Sequence, residues 1–283
     1  MVILSIGCGE NKNALLAAEF LNKEKNFHIE VARSDKELLS ALNDENFDAV
    51  IRGSLKSFNI LKNLKNTNKS NYDKRSFNSD KINNIINNEL IYRASFIKST
   101  INDKDYEFLL GPVGIDEGDT LDEKLNLAIH GVEFMKNMGK SPKIAILAGG
   151  RKEDVGRSSA IDKSIEDSEK LMEKIENSFT SSHSSLNPLY SSQSSSHSSD
   201  FSIKNYYILI EKAIKEGNNI IIAPDGIIGN IIFRSLVLLS SWESYGAITF
   251  GIDKLFIDTS RDQTKEGYIR ALRFAKTLVE NKI

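Results

Sequence analysis

Short apolar runs alternate with longer stretches whose apolar residues recur every three or four positions along most of the chain. Several short runs are continuously apolar, which is typical of strands that are covered on both faces of a sheet. The predicted strands are Val2–Ile6, His28–Val31, Asp48–Ile51, Leu90–Ile97, Phe108–Leu110, Lys143–Leu147, Asn219–Ala223 and Leu255–Ile257. Because strands and helices alternate over this length, the sequence predicts an α/β fold with a mostly parallel sheet and helices on both faces.

The stretches with helical spacing carry start and stop signals as well. Asp35, Thr120 and Thr264 precede or open such stretches and are predicted N-caps, while Gly139 and Gly217 are predicted stops. The predicted helices are Asn11–Leu21, Asp35–Leu42, Leu55–Leu64, Leu121–Met138, Ala160–Ile175, Tyr206–Lys215, Asn230–Leu239 and Thr264–Val279. Ligands of such folds bind beyond the carboxyl ends of the strands, so the turns that follow the strands are the places to look for chemistry.

Two polar segments interrupt this alternation. Residues 66–84 show no apolar periodicity, and we predict a polar loop or a poorly ordered insert there. In residues 178–200, 12 of the 23 residues are serine and no run is able to build a core, so we expect disorder. This segment also contains His183 and His197, which we interpret as part of a solvated linker rather than as metal ligands.

Composition and charge narrow the possible functions. The 283 residues have a formal net charge of −2 and a pI of about 6.2, so no overall electrostatic attraction to nucleic acid or to an anionic membrane is expected. A single cysteine fits a reducing compartment and excludes a disulfide framework. The richest apolar stretch, residues 220–242, is interrupted by charged and polar residues, so we predict no transmembrane helix. These features predict a cytoplasmic protein without a histidine- or cysteine-based metal centre.

The first predicted strand ends in Gly7-Cys8-Gly9, which has two interpretations. It resembles the opening glycine motif of Rossmann-type methyltransferases that use S-adenosylmethionine, and Glu30 lies near the spacing of a ribose-binding carboxylate. Lys12, however, stands where the dinucleotide pattern has its third glycine. We therefore favour a tight turn that needs glycine for a positive φ angle.

Positive charge follows the third predicted strand, in Arg52-Gly53-Ser54-Leu55-Lys56. Gly53 allows a ligand to approach the backbone closely, and Ser54 is able to cap the helix that follows. A helix start with free N–H groups and nearby Arg52 favours an anion. A capped turn with basic surface residues explains the same pattern, and both interpretations stay open.

The loop at residues 111–119 combines three glycines, a proline and three acidic residues. Asp116 and Glu117 could orient a cationic or hydroxylated ligand or bind a hard metal ion. Asp119 fits better as favourable negative charge at the start of the next helix. The role of Asp116 and Glu117 stays open.

The loop at residues 149–157 contains two arginines, and each directly follows a glycine. The planar guanidinium groups of Arg151 and Arg157 suit bidentate contact with phosphate or carboxylate. The acidic residues between them could instead neutralise both in surface ion pairs. The glycine neighbours lead us to favour a functional interpretation.

The most specific segment is Pro224-Asp225-Gly226, which follows a buried strand, with Gly229-Asn230 a few residues later. We predict that Gly229-Asn230 opens the next helix, where Asn230 either caps it or presents its amide to a ligand. A later strand leads to residues 256–261, which end in the hydroxyls of Thr259 and Ser260 and in Arg261.

These last two segments, in this order, resemble the phosphate acetyl/butyryltransferase superfamily, although Asp262 replaces the glycine of its late Ser-Arg-Gly motif. The motifs together are more similar to methanogenesis marker protein 4, the MtxX family of methanogenic archaea, over nearly the whole chain outside the two polar segments. This resemblance implies a two-domain, three-layer α/β sandwich. The implied N-terminal domain is 1–118 completed by 246–283, and the second domain is 119–245.

The resemblance also implies a function and a set of site residues. The family is described as subunit X of a methyltransferase that works with MtxA and MtxH in tetrahydromethanopterin-linked methyl transfer; we also expect a homodimer. The expected ligand is a small anion in an arginine-lined cleft, with CoA or tetrahydromethanopterin as candidate substrates. In an acyltransferase mechanism of the superfamily type, the expected catalytic residues are Asp225 or Asp258 as a base or orienting group, Ser260 as a hydrogen-bonding group and Arg261 as a holder of phosphate. The implied ligand-binding residues are Arg52, Gly53, Ser54, Gly114, Asp116, Glu117, Gly149, Gly150, Arg151, Arg157, Gly226, Gly229 and Asn230.

Three other functions remain open at this stage. The superfamily resemblance allows a phosphate acyltransferase that acts on an acyl-CoA or an acyl phosphate. A non-catalytic partner of methyltransferase subunits would keep the same fold. Methylation that depends on S-adenosylmethionine rests only on Gly7-Cys8-Gly9 and on the spacing of Glu30.

Overall fold

The computed structural model describes residues 1–64, 91–183 and 201–283 and confirms the predicted α/β class. The strands are β1 (Val2–Gly7), β2 (Phe27–Ala32), β3 (Ala49–Ile51), β4 (Tyr92–Ile101), β5 (Lys104–Gly111), β6 (Lys143–Leu147), β7 (Ser202–Tyr207), β8 (Ile220–Ile222), β9 (Glu243–Phe250) and β10 (Leu255–Asp258). The helices are α1 (Asn13–Leu21), α2 (Asp35–Asn43), α3 (residues 57–64), α4 (Leu121–Asn137), α5 (Ser159–His183), α6 (Ile210–Lys215), α7 (Gly226–Arg234) and α8 (Lys265–Glu280). The predicted polar segment 66–84 lies outside the described residues, as do residues 184–200 of the serine-rich segment.

The described chain divides into two compact units. The first comprises residues 1–64, 91–107 and 231–283, and the second comprises residues 108–183 and 201–230. The chain therefore passes between units at 107/108 and 230/231, whereas the domain borders expected from the sequence were 118/119 and 245/246.

In the first unit the strand order is β2-β1-β3-β10-β9-β4. The first four of these strands are parallel, and β9 runs antiparallel to both of its neighbours. Ile51 of β3 is aligned with Ile6 of β1 on one side and with Ile257 of β10 on the other. The residues that follow these three isoleucines therefore lie next to one another, at the carboxyl ends of the three strands.

In the second unit the strand order is β5-β8-β6-β7, and all neighbouring pairs are parallel. Ile221 of β8 is aligned with Leu110 of β5 and with Ala145 of β6. All three of these residues are fully buried, as expected for the central strands of a covered parallel sheet. The carboxyl ends of β5, β8 and β6 lie side by side, and the loops that follow them form one surface of this unit.

The helix starts follow simple capping chemistry. Thr120 and Thr264 are N-caps as predicted, because their hydroxyl oxygens accept hydrogen bonds from the amides of Glu123 and Gly267. The cap of α2 is Ser34, one residue before the predicted Asp35.

Two strands were missing from the sequence prediction. Strand β7 alternates exposed and partly buried residues at the edge of its sheet, and its last residues had been assigned to the helix that in fact begins at Ile210. Strand β9 mixes polar residues, Glu243, Ser244 and Thr249, with apolar ones, and Gly246 near its centre has a φ of 97°. Both strands lack the continuous apolar run on which the prediction depended.

The serine-rich segment begins as helix, so the expectation of disorder was wrong for residues 178–183. Helix α5 continues to His183, and the ring of Phe179 packs against that of Phe201 with centroids 4.5 Å apart. This contact packs the end of α5 against the residue that directly precedes β7. Within the described residues, each helix is too short or too polar to cross a membrane.

The first prediction concerns the central strand β10. Ile257 is fully buried there, so Ile257→Ala should lower the free energy of unfolding by about 2–5 kcal/mol through the lost contacts and the cavity left behind. Urea denaturation followed by circular dichroism measures the loss. Ile101→Ala, at a position that is 40% exposed at the end of β4, is the control and should cost much less. Equal losses in the two variants would contradict this account of the core.

Candidate functional site

At the strand ends of the first unit, Arg52 connects the loop after β3 to the end of β10. The arginine is only 6% exposed, and its Nε donates to the carboxylate of Asp258. Its two terminal nitrogens donate to the carbonyl oxygens of Leu55 and Thr259. Every nitrogen of the guanidinium group thus has a partner within the protein, so Arg52 holds these loops together in this structure.

Asp258 lies between two guanidinium groups, because Arg93 of β4 donates to its second carboxylate oxygen. Burial by itself would raise the pKa of Asp258, but the charges and hydrogen bonds of Arg52 and Arg93 outweigh burial and hold the pKa below its ordinary value. Asp258 is therefore ionised at neutral pH. Sequence reasoning missed Arg93, although a lone arginine inside an apolar strand was a usable signal.

Glycine in the first turn is required by a close approach of backbone to backbone. A Cβ on Gly7 would lie 2.3 Å from the carbonyl oxygen of Arg52, and one on Gly53 would lie 1.8 Å from that of Gly7. The positive φ, 63°, belongs to Gly53, so the expectation of a positive φ in Gly7-Cys8-Gly9 was wrong. These glycines are explained by packing between two loops of the protein itself.

Ser54 does not cap α3, contrary to the sequence expectation. Its hydroxyl accepts a hydrogen bond from the amide of Gly9 at 2.8 Å and donates to the carbonyl oxygen of Asn11 at 2.7 Å. The side chain therefore fixes the loop after β1 against the loop after β3.

The loop after β10 has a fixed backbone and a free guanidinium group. The Tyr268 hydroxyl donates to the carbonyl oxygens of Ser260 and Arg261, each at 3.0 Å, and Asn11 Nδ2 donates to that of Arg261 at 3.1 Å. Burial raises the pKa of Tyr268 far above its ordinary value, so the hydroxyl stays protonated and keeps donating. The side chain of Arg261 is exposed and makes no hydrogen bond or ion pair within the described part of the chain, while Ser260 beside it is half-buried.

In the second unit, helix α7 packs tightly against the loop that follows β5. A Cβ on Gly226 would lie 1.6 Å from the carbonyl oxygen of Gly114, and one on Gly229 would lie 1.9 Å from that of Pro112. The side-chain amide of Asn230 donates to the carbonyl oxygen of Val113 at 3.0 Å. These three sequence-predicted residues are thus engaged in holding the loop.

Helix α7 begins four residues earlier than predicted. Asp225 Oδ1 accepts a hydrogen bond from the amide of Ile228 at 2.7 Å and caps the helix, so the prediction that Gly229-Asn230 opens it was wrong. The residue that caps α7 is therefore Asp225, which lies closer to the end of β8 than Gly229 and Asn230 do.

Asp116 and Glu117, whose roles the sequence does not decide, have different surroundings in the loop at residues 111–119. Glu117 is 6% exposed, and its carboxylate accepts a hydrogen bond from the amide of Gly114 at 3.3 Å. Asp116 is exposed. Glu117 therefore shapes the loop, and Asp116 is the one that faces solvent.

The loop after β6 is organised around Asp154. Its carboxylate accepts from Arg157 Nη1 at 2.7 Å and from the amide of Arg151 at 2.8 Å, and these bonds lower the pKa of Asp154. The amide of Gly149 donates to the hydroxyl of Ser164 at 2.8 Å. Arg157 is thus paired at the surface, while the guanidinium group of Arg151 is exposed.

The structure groups the predicted residues by unit. In the first unit, Arg52, Gly53, Ser54, Asp258, Ser260 and Arg261 gather at the ends of β3 and β10. In the second, Gly114, Glu117, Asp225, Gly226, Gly229 and Asn230 gather around the start of α7, and Gly149, Gly150, Arg151 and Arg157 follow β6. Across residues 1–64, 91–183 and 201–283, no group of three or more histidine, cysteine or acidic side chains is placed to hold a metal ion.

Comparison with known sequences gives matches to proteins from methanogenic archaea. An "Uncharacterized methyltransferase" of Methanocaldococcus jannaschii is 31% identical over 280 residues, which cover 97% of both chains. A Methanosarcina acetivorans protein named "Putative methyltransferase mtx subunit X" is 31% identical over 233 residues, 82% of this chain and 68% of that protein. No protein-family model matches the chain.

Comparison with solved structures supports the fold. A branched-chain phosphotransacylase from Enterococcus faecalis has a TM-score of 0.63 at 15% identity and covers 99% of both chains. A phosphotransacetylase from Staphylococcus aureus has a TM-score of 0.54 at 14% identity and covers 99% of this chain and 94% of that one. These similarities confirm the predicted phosphate acetyl/butyryltransferase type of fold; at such low identity they show the fold alone.

The second prediction concerns the ionised Asp258. Asp258→Asn leaves two buried guanidinium groups without their counter-charge and should lower the free energy of unfolding by about 3–5 kcal/mol at neutral pH. Asp262→Asn, which changes an exposed carboxylate of the same loop, is the matched control and should cost only a few tenths of a kcal/mol.

The effect of Asp258→Asn should also depend on pH with a defined sign. The folded-state pKa of Asp258 lies below the value of about 3.9 in an unfolded chain, so its contribution is complete above that pH and disappears as the pH falls through the folded-state pKa. The difference between wild type and variant should be constant from about pH 7 to about pH 5 and shrink in stronger acid. A difference that grows on acidification would show that Asp258 is not held ionised.

Proposed function

We propose a role in methyl transfer for this chain, which belongs to the MtxX family of methanogenic archaea. We also propose that the chain binds a small anion at the ends of β3 and β10. The observation that carries the proposal is the similarity to the M. jannaschii methyltransferase, because it extends over 97% of both chains. A full-length relationship of this kind supports a shared role for the whole protein rather than for one module of it.

Arg261 is the side chain that we assign to the anion. Its backbone is fixed by Tyr268 and Asn11, while its guanidinium group is exposed and has no partner within the described residues. An arginine held in this way offers a planar pair of donors to a phosphate or carboxylate, at a reduced cost in backbone entropy. The hydroxyl of Ser260, next to it, supplies a further hydrogen bond to the same group.

Arg52 and Asp258 act as positioning residues in this proposal. Asp258 is ionised and engaged by two guanidinium groups, so it orients the loop and is a poor base at neutral pH. Thr259 connects this pair to the ligand-binding loop, since its hydroxyl donates to the carbonyl oxygen of Gly53 at 2.9 Å. The contribution of the chain to catalysis is then to hold and orient a substrate, without a covalent intermediate on the protein.

The second unit supplies a separate set of candidate ligand contacts. Arg151 has an exposed guanidinium group beside Gly149 and Gly150, and Arg157 shares its charge with Asp154. Asp225 keeps one carboxylate oxygen beyond the one that caps α7. We retain these residues as proposed anion-binding and orienting groups of this unit.

The third prediction tests whether Arg261 binds the anion. Arg261→Ala should weaken binding of CoA or inorganic phosphate by about 10- to 100-fold in isothermal titration calorimetry, because a hydrogen bond to a charged group is worth about 1.5–3 kcal/mol. Arg273→Ala is the matched control, since that arginine is exposed on α8 and paired with Glu24. Equal affinity in wild type and Arg261→Ala would remove Arg261 from the site.

The fourth prediction concerns the complex. The tagged chain, purified at low salt from the organism that produces it, should carry methyltransferase subunits of the MtxA and MtxH type and should itself be a homodimer in light scattering. Recovery of the chain without any methyltransferase subunit would contradict the proposed complex. In that event, release of CoA from acyl-CoA esters in the presence of arsenate would identify the chain as a phosphate acyltransferase instead.

A further inference from the structure

The second unit contains a cavity whose lining shares only Asp225 with the residues assigned above. It has a volume of about 300 Å³ and lies between the carboxyl ends of β6 and β8 and the helices α4 and α5. Ligand pockets in proteins start at about this size, so the space suits a small molecule. Its charged lining is formed by Asp119, Lys124, Lys163, Asp167 and Asp225.

Lys124 places a positive charge in the wall of this cavity. The residue is 7% exposed, although it lies in the first turns of α4, and its Nζ donates to the carbonyl oxygen of Pro224 at 2.8 Å. Burial lowers the pKa of Lys124, while Asp167 and Asp225 act in the opposite direction. Lys124 therefore belongs to the wall, and its charge is already balanced by neighbouring carboxylates.

Three other charged groups of the lining have no direct partner. Within the described residues, the carboxylates of Asp119 and Asp167 and the ammonium group of Lys163 form neither a hydrogen bond nor an ion pair. Asp119 and Lys163 are exposed and Asp167 is half-buried, so a ligand is able to pair with these groups without breaking a bond within the protein. The cavity therefore offers a ligand two carboxylates and one ammonium group that make no direct bond within the described residues.

The remaining wall is aliphatic and includes Ile146 and Leu171, both almost fully buried. From this combination we propose that the cavity binds a small zwitterion of the amino-acid class. The ligand ammonium group is held by Asp119 and Asp167, its carboxylate is held by Lys163, and an aliphatic side chain lies against Ile146 and Leu171. This site is independent of the anion site at Arg261, which lies in the other unit.

The fifth prediction tests this assignment with L-valine as the probe. L-valine should bind saturably in calorimetry and raise the melting temperature, whereas n-butylamine and butyrate, which each carry only one of the two charges, should bind at least about 10-fold more weakly. Asp167→Asn should weaken L-valine binding by about 10-fold or more, because it removes a charge-assisted hydrogen bond. Asp167 makes no hydrogen bond within the described residues and is one of several carboxylates that offset the charge of Lys124, so the variant should stay folded.

Two controls make the result specific. Glu166→Gln changes the neighbouring carboxylate on α5, which is exposed and paired with Lys170, and should leave the affinity for L-valine unchanged. Lys163→Met should weaken L-valine but not n-butylamine. Phosphate binding should be the same in Asp167→Asn as in wild type, so failure at this cavity is distinguishable from failure at Arg261.

Three outcomes would overturn the proposal. The first is that none of the probes binds at concentrations of tens of millimolar. Lys163 and Asp167 lie four positions apart on α5, and this result would mean that they pair with each other in solution. The second is tighter binding of butyrate or phosphate than of L-valine at this cavity. The third is equal loss of L-valine affinity in Glu166→Gln and Asp167→Asn.

Discussion

The buried carboxylate of Asp258, held between Arg52 and Arg93, organises the strand ends of the first unit. The three residues come from β10, from the loop after β3 and from β4, with separations of 206 and 165 positions along the chain. A buried charge is tolerated only when its partners are in place, so this contact forms only when all three strands have assembled. The loop that carries Arg261 starts from that point, and its geometry therefore depends on the ion network beneath it.

Both units join neighbouring loops by the same device, a glycine pressed against a carbonyl group. Gly53 meets Gly7 in the first unit, and Gly226 meets Gly114 in the second. Any side chain at these positions would push the loops apart, because the atom in the way is backbone rather than a flexible side chain. The glycines thus determine how closely the strand ends approach, and hence where Arg261 and Asp225 are placed.

The sequence was sufficient for the fold class and for most elements, because the buried parallel strands and the amphipathic helices have clear periodicities. It was insufficient for β7 and β9, whose residues alternate or are interrupted by Gly246. The candidate residues were found because glycine, acid and arginine cluster after strands. Their individual roles could not be predicted, since whether an arginine is buried, as Arg52 is, or exposed, as Arg261 is, depends on partners that are distant in sequence.

The approach of Gly7 to Arg52 and Gly53 also bears on how such chains are classified. A scan that equates two closely spaced glycines after a first strand with a nucleotide fingerprint would place this chain among cofactor-binding methyltransferases. Here the spacing is accounted for by steric room between two segments of one polypeptide. Proteins with the same short signature can therefore carry it for unrelated reasons, and the neighbouring turn has to be inspected before a cofactor is assigned.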